Sequence, residues 1–279
     1  MSKIDLHLHS SYSDGSDSIR ELAEKIKQAG ITTFALTDHD TIAGCEEMAQ
    51  LMPEGFIPGV ELTTIAGNIK CHILGYKIDY YNPELLALIE KGKKLRRNKL
   101  ETRIRYLKDT WNIELNKDEL DWLYSRKSVV KTHIANILVK RGLAEDNQKA
   151  MKKYLDGCKA GDSRFTIEES IRTILNAGGK AIWAHPLGGE GERHLQPDEF
   201  LPKLKQMKDF GIQGLECYYS RYNQNEIEFL LNCAKTNNLI ITGGSDYHGT
   251  NKSVQIGKLC ADSFPIIYTS KNFYLQVLR

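Results

Sequence analysis

Short apolar segments alternate with amphipathic segments along most of the chain. This pattern predicts strands over 3–8, 31–36, 56–64, 69–76, 180–184, 212–218 and 239–243, with helices between most of them. Gly67-Asn68 separates the third strand from the fourth and is typical of a hairpin turn. Strands that alternate with helices favour a parallel α/β sheet. In a chain of 279 residues this sheet can close into a barrel or stay open, and periodicity does not choose between them.

The character of the chain changes at Pro83. A long helical pattern rich in Lys and Arg covers 85–108, and shorter helical patterns continue to about residue 160 without a convincing strand. We therefore predict a helical insertion over 83–160 within one domain formed by 1–82 and 161–279.

Composition narrows the class of protein. The chain is 41% hydrophobic and 27% charged, as in ordinary globular proteins, and its net charge of +2 gives no reason to expect a nucleic-acid or membrane surface as partner. The first residues lack the apolar run of a secretory signal, and no apolar stretch is long enough for a membrane helix. The six cysteines include no Cys-x-x-Cys pair, so we expect reduced thiols and a cytoplasmic protein. The oligomeric state stays open.

Imidazoles and carboxylates recur at or just past the predicted strand ends. The residues in question are His7, His9, Asp14, His39, Glu61, His72, His185, Asp246 and His248. Side chains at the carboxyl ends of parallel strands converge on one face, and so many polar groups would be costly to bury without partners. His7 and His9 are two residues apart in a strand, so both can bind one ion. Although His-x-His alone is a weak signal, the whole set predicts a site for several metal ions.

These segments together resemble the polymerase-and-histidinol-phosphatase (PHP) family of metallophosphoesterases. The resemblance runs from Ile4 to about Gly249 and is carried by Asp5-Leu6-His7-Leu8-His9-Ser10 with Asp14-Gly15, Leu36-Thr37-Asp38-His39-Asp40-Thr41, Gly59-Val60-Glu61, His72, Ala184-His185-Pro186 and Gly244-Ser245-Asp246-Tyr247-His248. It implies a distorted (β/α)7 barrel in which the helical insertion covers the active site.

The resemblance also implies a trinuclear centre of divalent ions. His7, His9 and Asp246 would hold one ion, and His72 and His185 a second. Glu61 would bridge these two, while the third ion would be bound by Asp14, His39 and His248. The ligand types suit manganese, zinc or iron without choosing among them.

Such a centre predicts hydrolysis of a phosphate ester. We expect water activated between two ions to attack phosphorus while the ions neutralise charge on the phosphoryl oxygens. Glu61 and Asp40 are the predicted catalytic residues, with Asp40 assisting proton transfer; the alternative for Asp40 is a turn carboxylate that caps the next helix. Lys131, His133 and Arg221 are predicted to contact the substrate phosphate. Arg193 and His194 are expected to be solvated.

The predicted substrates are small phosphorylated nucleotides or sugars. Members of the family with this insertion act on nucleoside 3′,5′-bisphosphates or on the 5′ ends of short oligonucleotides. A neighbouring branch hydrolyses phosphoribosyl 1,2-cyclic phosphate, and the glycine-rich segment 187–192 leaves the choice between the branches open. The insertion disfavours a histidinol-phosphate phosphatase, and the lack of a further domain disfavours a polymerase-associated module.

Overall fold

The computed structural model describes residues 3–126, 129–190 and 192–261. The elements within them, in chain order, are β1 (Lys3–Leu8), α1 (Ile19–Ala29), β2 (Ile31–Leu36), α2 (Cys45–Leu51), β3 (Phe56–Ala66), β4 (Ile69–Tyr76), α3 (Pro83–Trp111), α4 (Lys117–Ser125), α5 (Lys131–Lys140), α6 (Asn147–Tyr154), β5 (Phe165–Thr166), α7 (Ile167–Asn176), β6 (Lys180–Trp183), α8 (Pro197–Asp209), β7 (Gly214–Tyr219), α9 (Gln224–Thr236) and β8 (Ile240–Gly244). None of these helices is both long and apolar enough to cross a membrane.

The chain divides into two compact units. One consists of Met1–Ala87 with Phe165–Arg279, and the other of Leu88–Arg164. The regular elements among the described residues of the second unit are all helices, and they enclose a core of their own around Leu107, Leu123, Ile134 and Leu138. The placement of this unit over the active site stays a prediction.

Seven of the described strands form a closed barrel in the order β1-β2-β3-β4-β6-β7-β8. Neighbours pair in parallel except β4, which is antiparallel to both β3 and β6. The ring closes between β8 and β1, where Leu8 bridges Tyr247 and the Asp246 N–H donates to the His7 carbonyl at 2.9 Å. The predicted distorted (β/α)7 barrel is thereby confirmed. The two-residue strand β5 pairs with β3 outside the ring and was not predicted.

The reversal of β4 comes from the predicted hairpin. Gly67 and Asn68 alone separate the paired residues Ala66 and Ile69, and Gly67 has a φ of +57°, which such two-residue turns require. Because β4 runs backwards, its first half lies at the edge where the parallel strands end. His72 pairs with Thr63 in this half and so reaches the same end of the barrel as the other histidines.

The interior of the barrel is filled by apolar side chains from most of the strands, among them Ile4, Leu6, Ile57, Leu74, Tyr76 and Ile182. A strand with a regular pleat would place Ile4, Leu6 and Leu8 on one face. Leu8 instead packs with helix α1, and the pairing of β1 with β2 shifts register between Asp5 and Leu8. This irregularity changes which side of the strand faces inward, so His7 and His9 follow Leu6 on the inner side.

Helix α1 covers the outside of the first two strands. Ser18 and Glu21 form a capping box at its start, and Gly30 ends it with a left-handed φ of +67°. Leu22 and Ile26 on its inner face are fully buried against Phe34 and the other apolar residues of this layer.

We expect Leu22→Ala to lower the free energy of unfolding by about 2–5 kcal/mol, because it leaves a cavity between helix and barrel. The matched change Leu201→Ala removes a side chain that is 49% exposed on α8, and should cost no more than about 0.5 kcal/mol. Urea unfolding of both variants measures the difference, and equal losses would contradict this packing.

Candidate metal centre

All nine predicted ligands meet at one end of the barrel. His7 lies on β1, and His9 and Asp14 lie in the segment that follows it; His39 follows β2. Glu61 and His72 belong to the β3–β4 hairpin, and His185, Asp246 and His248 lie beyond the ends of β6 and β8. Six of the eight histidines of the chain lie here, so histidines are concentrated at this end of the barrel and are not spread over the protein.

The Glu61 carboxylate lies at the centre of the cluster. Its Oε2 atom is 3.1 Å from His7 Nε2, 3.2 Å from His9 Nε2 and 3.1 Å from His39 Nδ1. Its Oε1 atom is 2.9 Å from His72 Nδ1 and 3.2 Å from His185 Nε2. The two oxygens thus face different sets of imidazoles, which is the arrangement a carboxylate needs to bridge two ions.

Three groups of potential ligand atoms can be distinguished, each with its atoms within 4.8 Å of one another. They are His7, His9, Glu61 and Asp246; His9, Asp14, His39 and His248; and His39, Glu61 and His72. The grouping resembles the ligand sets implied by the family resemblance, except that His9 and His39 each belong to two groups. His185 is connected to the cluster through Glu61.

The donor set fits divalent cations. Among the described residues, the buried ring nitrogens His9 Nδ1, His9 Nε2, His39 Nδ1 and His248 Nε2 have no hydrogen-bond partner, although carboxylate oxygens lie close by. Buried polar atoms normally find partners, and those that do not require an explanation such as an ion. Imidazole nitrogens next to carboxylate oxygens are the ligands that zinc, iron and manganese accept.

The charges of the cluster oppose one another. Burial would raise the pKa of Glu61, but His39, His7 and His72 together hold that pKa well below its usual value. Burial also disfavours the charged form of His9, yet Asp246 and Glu61 raise its pKa to about 9. The same part of the barrel therefore keeps carboxylates ionised and attracts positive charge, which is the electrostatic requirement of a cation site.

Part of the cluster is buried and part of it is exposed to solvent. The His7, His9 and Glu61 side chains are fully buried, whereas His72 is 29% exposed and Asp14 is 42% exposed. A ligand must therefore approach from the side of Asp14, His39 and His72.

Two of the predicted ligands have strained backbones. His185 has a φ of +28° and Asp246 a φ of +59°, in the left-handed region that costs about 1–2 kcal/mol for residues other than glycine. Such strain persists where the surroundings hold it and is concentrated at functional sites. Here the Asp246 N–H is bound by the His7 carbonyl, and the His185 N–H by a carboxylate of β7.

Three residues that the sequence did not indicate as part of the site hold the predicted ligands in place. The Tyr219 hydroxyl and Lys252 Nζ both donate to Asp246 Oδ2, at 2.9 and 2.7 Å. Asp246 Oδ1 is thereby left to face His7, His9 and His248. The third, Glu216, is fully buried on β7 and contacts both His7 and His185. A charged residue within an apolar strand was the available signal for Glu216.

Asp38 and Asp40 organise the backbone around the cluster. Asp38 accepts from Ser10 N, Ser10 Oγ and Ser13 Oγ, and so holds the loop that carries His9. Asp40 accepts from Thr63 N at 2.7 Å and Thr63 Oγ1 at 2.8 Å. It does not cap α2, whose N-cap is Gly44. Its assistance in proton transfer stays a prediction.

The residues predicted to contact phosphate lie in both units. Arg221 Nη1 donates to Glu190 Oε1 at 2.7 Å, and Glu190 belongs to the glycine-rich segment after His185, of which Gly191 lies outside the described residues. In the helical unit, Lys131 pairs with Asp156, and His133 Nδ1 accepts from Val130 N. Contact of these three residues with substrate stays a prediction.

Arg193 and His194 are more constrained than the sequence indicates. Arg193 forms a two-pronged ion pair with Glu199, and His194 Nδ1 lies 2.6 Å from Glu226 Oε1. The expectation that His194 is simply solvated is wrong, because its side chain is half-buried against α9 and the Tyr222 ring.

A closed α/β barrel with imidazoles and carboxylates gathered at one end is typical of metal-dependent hydrolases. The sequence profile of the PHP domain matches residues 5–170, which is more than half of the chain. The chain belongs to the PHP family. It is a metal-dependent phosphoesterase.

Curated relatives extend over almost the whole chain. A 5′-3′ exoribonuclease of Haemophilus influenzae is 32% identical and covers 92% of this chain and 93% of its own length. A 3′,5′-nucleoside bisphosphate phosphatase of Chromobacterium violaceum is 28% identical (89% and 88% covered), and a phosphoribosyl 1,2-cyclic phosphate 1,2-diphosphodiesterase of Eggerthella lenta is 27% identical (88% and 94%). A solved structure of a presumed metal-dependent phosphoesterase from Bifidobacterium adolescentis has a TM-score of 0.76 at 25% identity, with 94% and 93% covered.

Tyr219→Phe removes one of the two donors to Asp246 Oδ2. We expect the metal-free protein to lose about 1–3 kcal/mol of unfolding free energy, because a buried carboxylate oxygen loses a hydrogen bond. Tyr12→Phe is the matched control, since Tyr12 donates to the Glu47 carboxylate at 3.1 Å in a more exposed setting. Denaturant unfolding compares the two, and a loss no larger for Tyr219→Phe than for Tyr12→Phe would refute the claim.

Proposed function

We propose that this protein hydrolyses phosphate esters of nucleotides, taking nucleoside 3′,5′-bisphosphates or the 5′ ends of short RNA as substrates. The observation that carries the proposal is the convergence of nine imidazoles and carboxylates at one end of the barrel, where five of the imidazoles lie within 3.2 Å of the two Glu61 oxygens. The substrate class is supported by the names of two relatives, an exoribonuclease and a nucleoside bisphosphate phosphatase.

In this proposal the nine residues hold three divalent ions of manganese, zinc or iron. His7, His9 and Asp246 serve the first, His72 and His185 the second, and Asp14, His39 and His248 the third, with Glu61 shared by the first two. When bound, such ions act as Lewis acids on phosphoryl oxygens and lower the pKa of water.

The chain's own residues prepare the site for this chemistry. Lys252 and Tyr219 fix Asp246 so that one oxygen faces the cluster. Both oxygens of Asp40 accept from Thr63, so Asp40 holds the strand segment around Glu61 in place, and in this proposal it also assists proton transfer. The backbone agrees, because Asp40 N donates to the Glu61 carbonyl at 2.8 Å. Rigid placement of charged groups is what phosphoryl transfer chiefly needs.

Arg221 is the proposed phosphate ligand of the barrel unit. Its partner Glu190 follows Gly189, and a Cβ at position 189 would lie 3.1 Å from the His185 ring. The backbone that carries Glu190 is therefore next to a proposed metal ligand, and Arg221 is 39% exposed. Lys131 and His133 are proposed as further phosphate contacts from the helical unit. A guanidinium suits this role because it can bind two phosphate oxygens at once.

A phosphoribosyl 1,2-cyclic phosphate diesterase is the second candidate. It is favoured by the relative of that name, which is nearly as similar as the bisphosphate phosphatase. The two candidates share the metal centre and differ in the organic part of the substrate, so only a substrate screen separates them.

The first test is a hydrolysis screen with added Mn²⁺ over nucleoside 3′,5′-bisphosphates, 5′-phosphorylated RNA oligonucleotides, cyclic ribose phosphates and histidinol phosphate. Released phosphate is measured for the monoesters, and chromatography detects the mononucleotides or ring-opened sugar phosphates formed from the RNA and the cyclic phosphates. We expect turnover of a nucleotide substrate, and its loss after chelation. His7→Ala should lower kcat at least about 100-fold, because it removes a proposed ligand. Activity that survives both chelation and His7→Ala contradicts the mechanism, and turnover of cyclic ribose phosphate alone selects the second candidate.

Arg221→Ala should raise KM for the phosphorylated substrate about 10-fold or more, because a charge-assisted contact worth roughly 1.5–3 kcal/mol is removed. Arg193→Ala is the matched control: it also breaks an Arg–Glu ion pair, but one with no proposed contact to phosphate. Steady-state kinetics of both variants measure the two KM values. An unchanged KM for Arg221→Ala would show that Arg221 does not bind the substrate phosphate.

A further inference from the structure

Glu216 is a carboxylate that the proposed metal centre does not use as a ligand, although it is fully buried beside it on β7. Its Oε1 atom lies 2.8 Å from His7 Nδ1, and its Oε2 atom accepts from the backbone N–H of His185 at 2.7 Å. His7 and His185 belong to different proposed ion sites, and their rings stack at 5.9 Å with an interplanar angle of 16°.

We infer that Glu216 is a positioning residue that fixes the ligands of two ions at once. This inference rests on the proposed metal centre. Glu216 is not itself a ligand of that centre. It orients two of the proposed ligands, His7 and His185.

Glu216 orients the His7 ring through its Oε1 atom. A carboxylate can only accept, so the hydrogen in its contact with His7 is carried by Nδ1. The lone pair of the neutral ring is then on Nε2, which lies 3.1 Å from Glu61 Oε2 and 3.5 Å from Asp246 Oδ1. A metal-binding histidine is commonly oriented in this way by a carboxylate behind it.

Glu216 holds the backbone of His185 through its Oε2 atom. The His185 φ of +28° is unfavourable for a residue with a Cβ, so a strong interaction must hold it. The Glu216 Oε2 contact provides one, and the His185 ring Nε2 then lies 3.2 Å from Glu61 Oε1. Loss of this contact would let the backbone relax and turn the imidazole away.

Glu216→Gln separates these roles from simple packing because the side chain keeps its shape. Its amide has one accepting oxygen and one donating nitrogen. If the oxygen accepts from His185 N–H, the nitrogen faces His7 Nδ1, and the ring hydrogen must move to Nε2, where it blocks a cation. If the oxygen faces His7, the amide nitrogen meets the His185 N–H donor and repels it. Either way one ligand is lost.

Glu226→Gln is a matched control. Glu226 also has a histidine Nδ1 near its Oε1 atom, that of His194 at 2.6 Å, and its Oε2 atom accepts from a backbone N–H, that of Asn223 at 2.9 Å. The substitution is chemically the same, but neither partner is a proposed metal ligand.

The experiment is calorimetric titration of the metal-free protein with Mn²⁺, together with urea unfolding of each variant without metal. We expect Glu216→Gln to weaken the binding of Mn²⁺ by about 10- to 100-fold, and Glu226→Gln to leave it unchanged. A purely structural role would lower the stability of Glu216→Gln without changing the affinity of the molecules that remain folded. If Glu216→Gln does not fold, Glu216→Asp, whose shorter side chain cannot reach both partners, is titrated instead and should show the same weakening.

Wild-type affinity in the folded Glu216 variant, or an equal loss in Glu226→Gln, overturns the inference and leaves the metal centre intact. A wild-type protein that binds no Mn²⁺, Zn²⁺ or Fe²⁺ overturns the metal centre itself, and with it the role of Glu216.

Discussion

The Glu61 carboxylate is fully buried and has five imidazole rings within 3.2 Å of its two oxygens. A charge so far from water is costly unless other charges compensate it. The histidines provide this compensation, which is why the pKa of Glu61 stays low in spite of burial. The end of the barrel is therefore built around a concentration of negative charge, and the other features of the site serve to hold positive charge near it.

The fold brings this about through the places where it departs from a regular barrel. If β4 were parallel to its neighbours, its first half, which carries His72, would lie at the opposite end of the barrel. Because β4 is antiparallel, His72 lies at the same end as the other histidines. The register shift in β1 turns His7 and His9 inward behind Leu6, and the backbone bond from Asp246 to the His7 carbonyl closes the ring at the same point. Closure of the barrel and assembly of the site thus share their hydrogen bonds. Damage to one is expected to affect the other.

Much of this could be predicted from the sequence. The alternation of strands and helices, the Gly67-Asn68 turn and the recurrence of histidines at strand ends indicate the barrel, the hairpin and the cluster, because each depends on local patterns. The register shift in β1 could not be predicted, since it depends on how β1 pairs with its neighbours. The ion pair between Arg221 and Glu190 could not be predicted either, because the two residues are 31 positions apart in the chain. The sequence shows Glu216 as a charged residue in an apolar strand, but its contacts with His7 and His185 are known only from the fold.

The proposed chemistry depends on divalent ions bound by the residues around Glu61. Anomalous X-ray diffraction from crystals of the protein soaked in Mn²⁺ tests this binding most directly. We expect strong anomalous peaks next to the Glu61 oxygens and between Asp14, His39 and His248, with lower occupancy in His7→Ala crystals. Manganese found only elsewhere on the protein, with none within coordinating distance of Glu61, would contradict it.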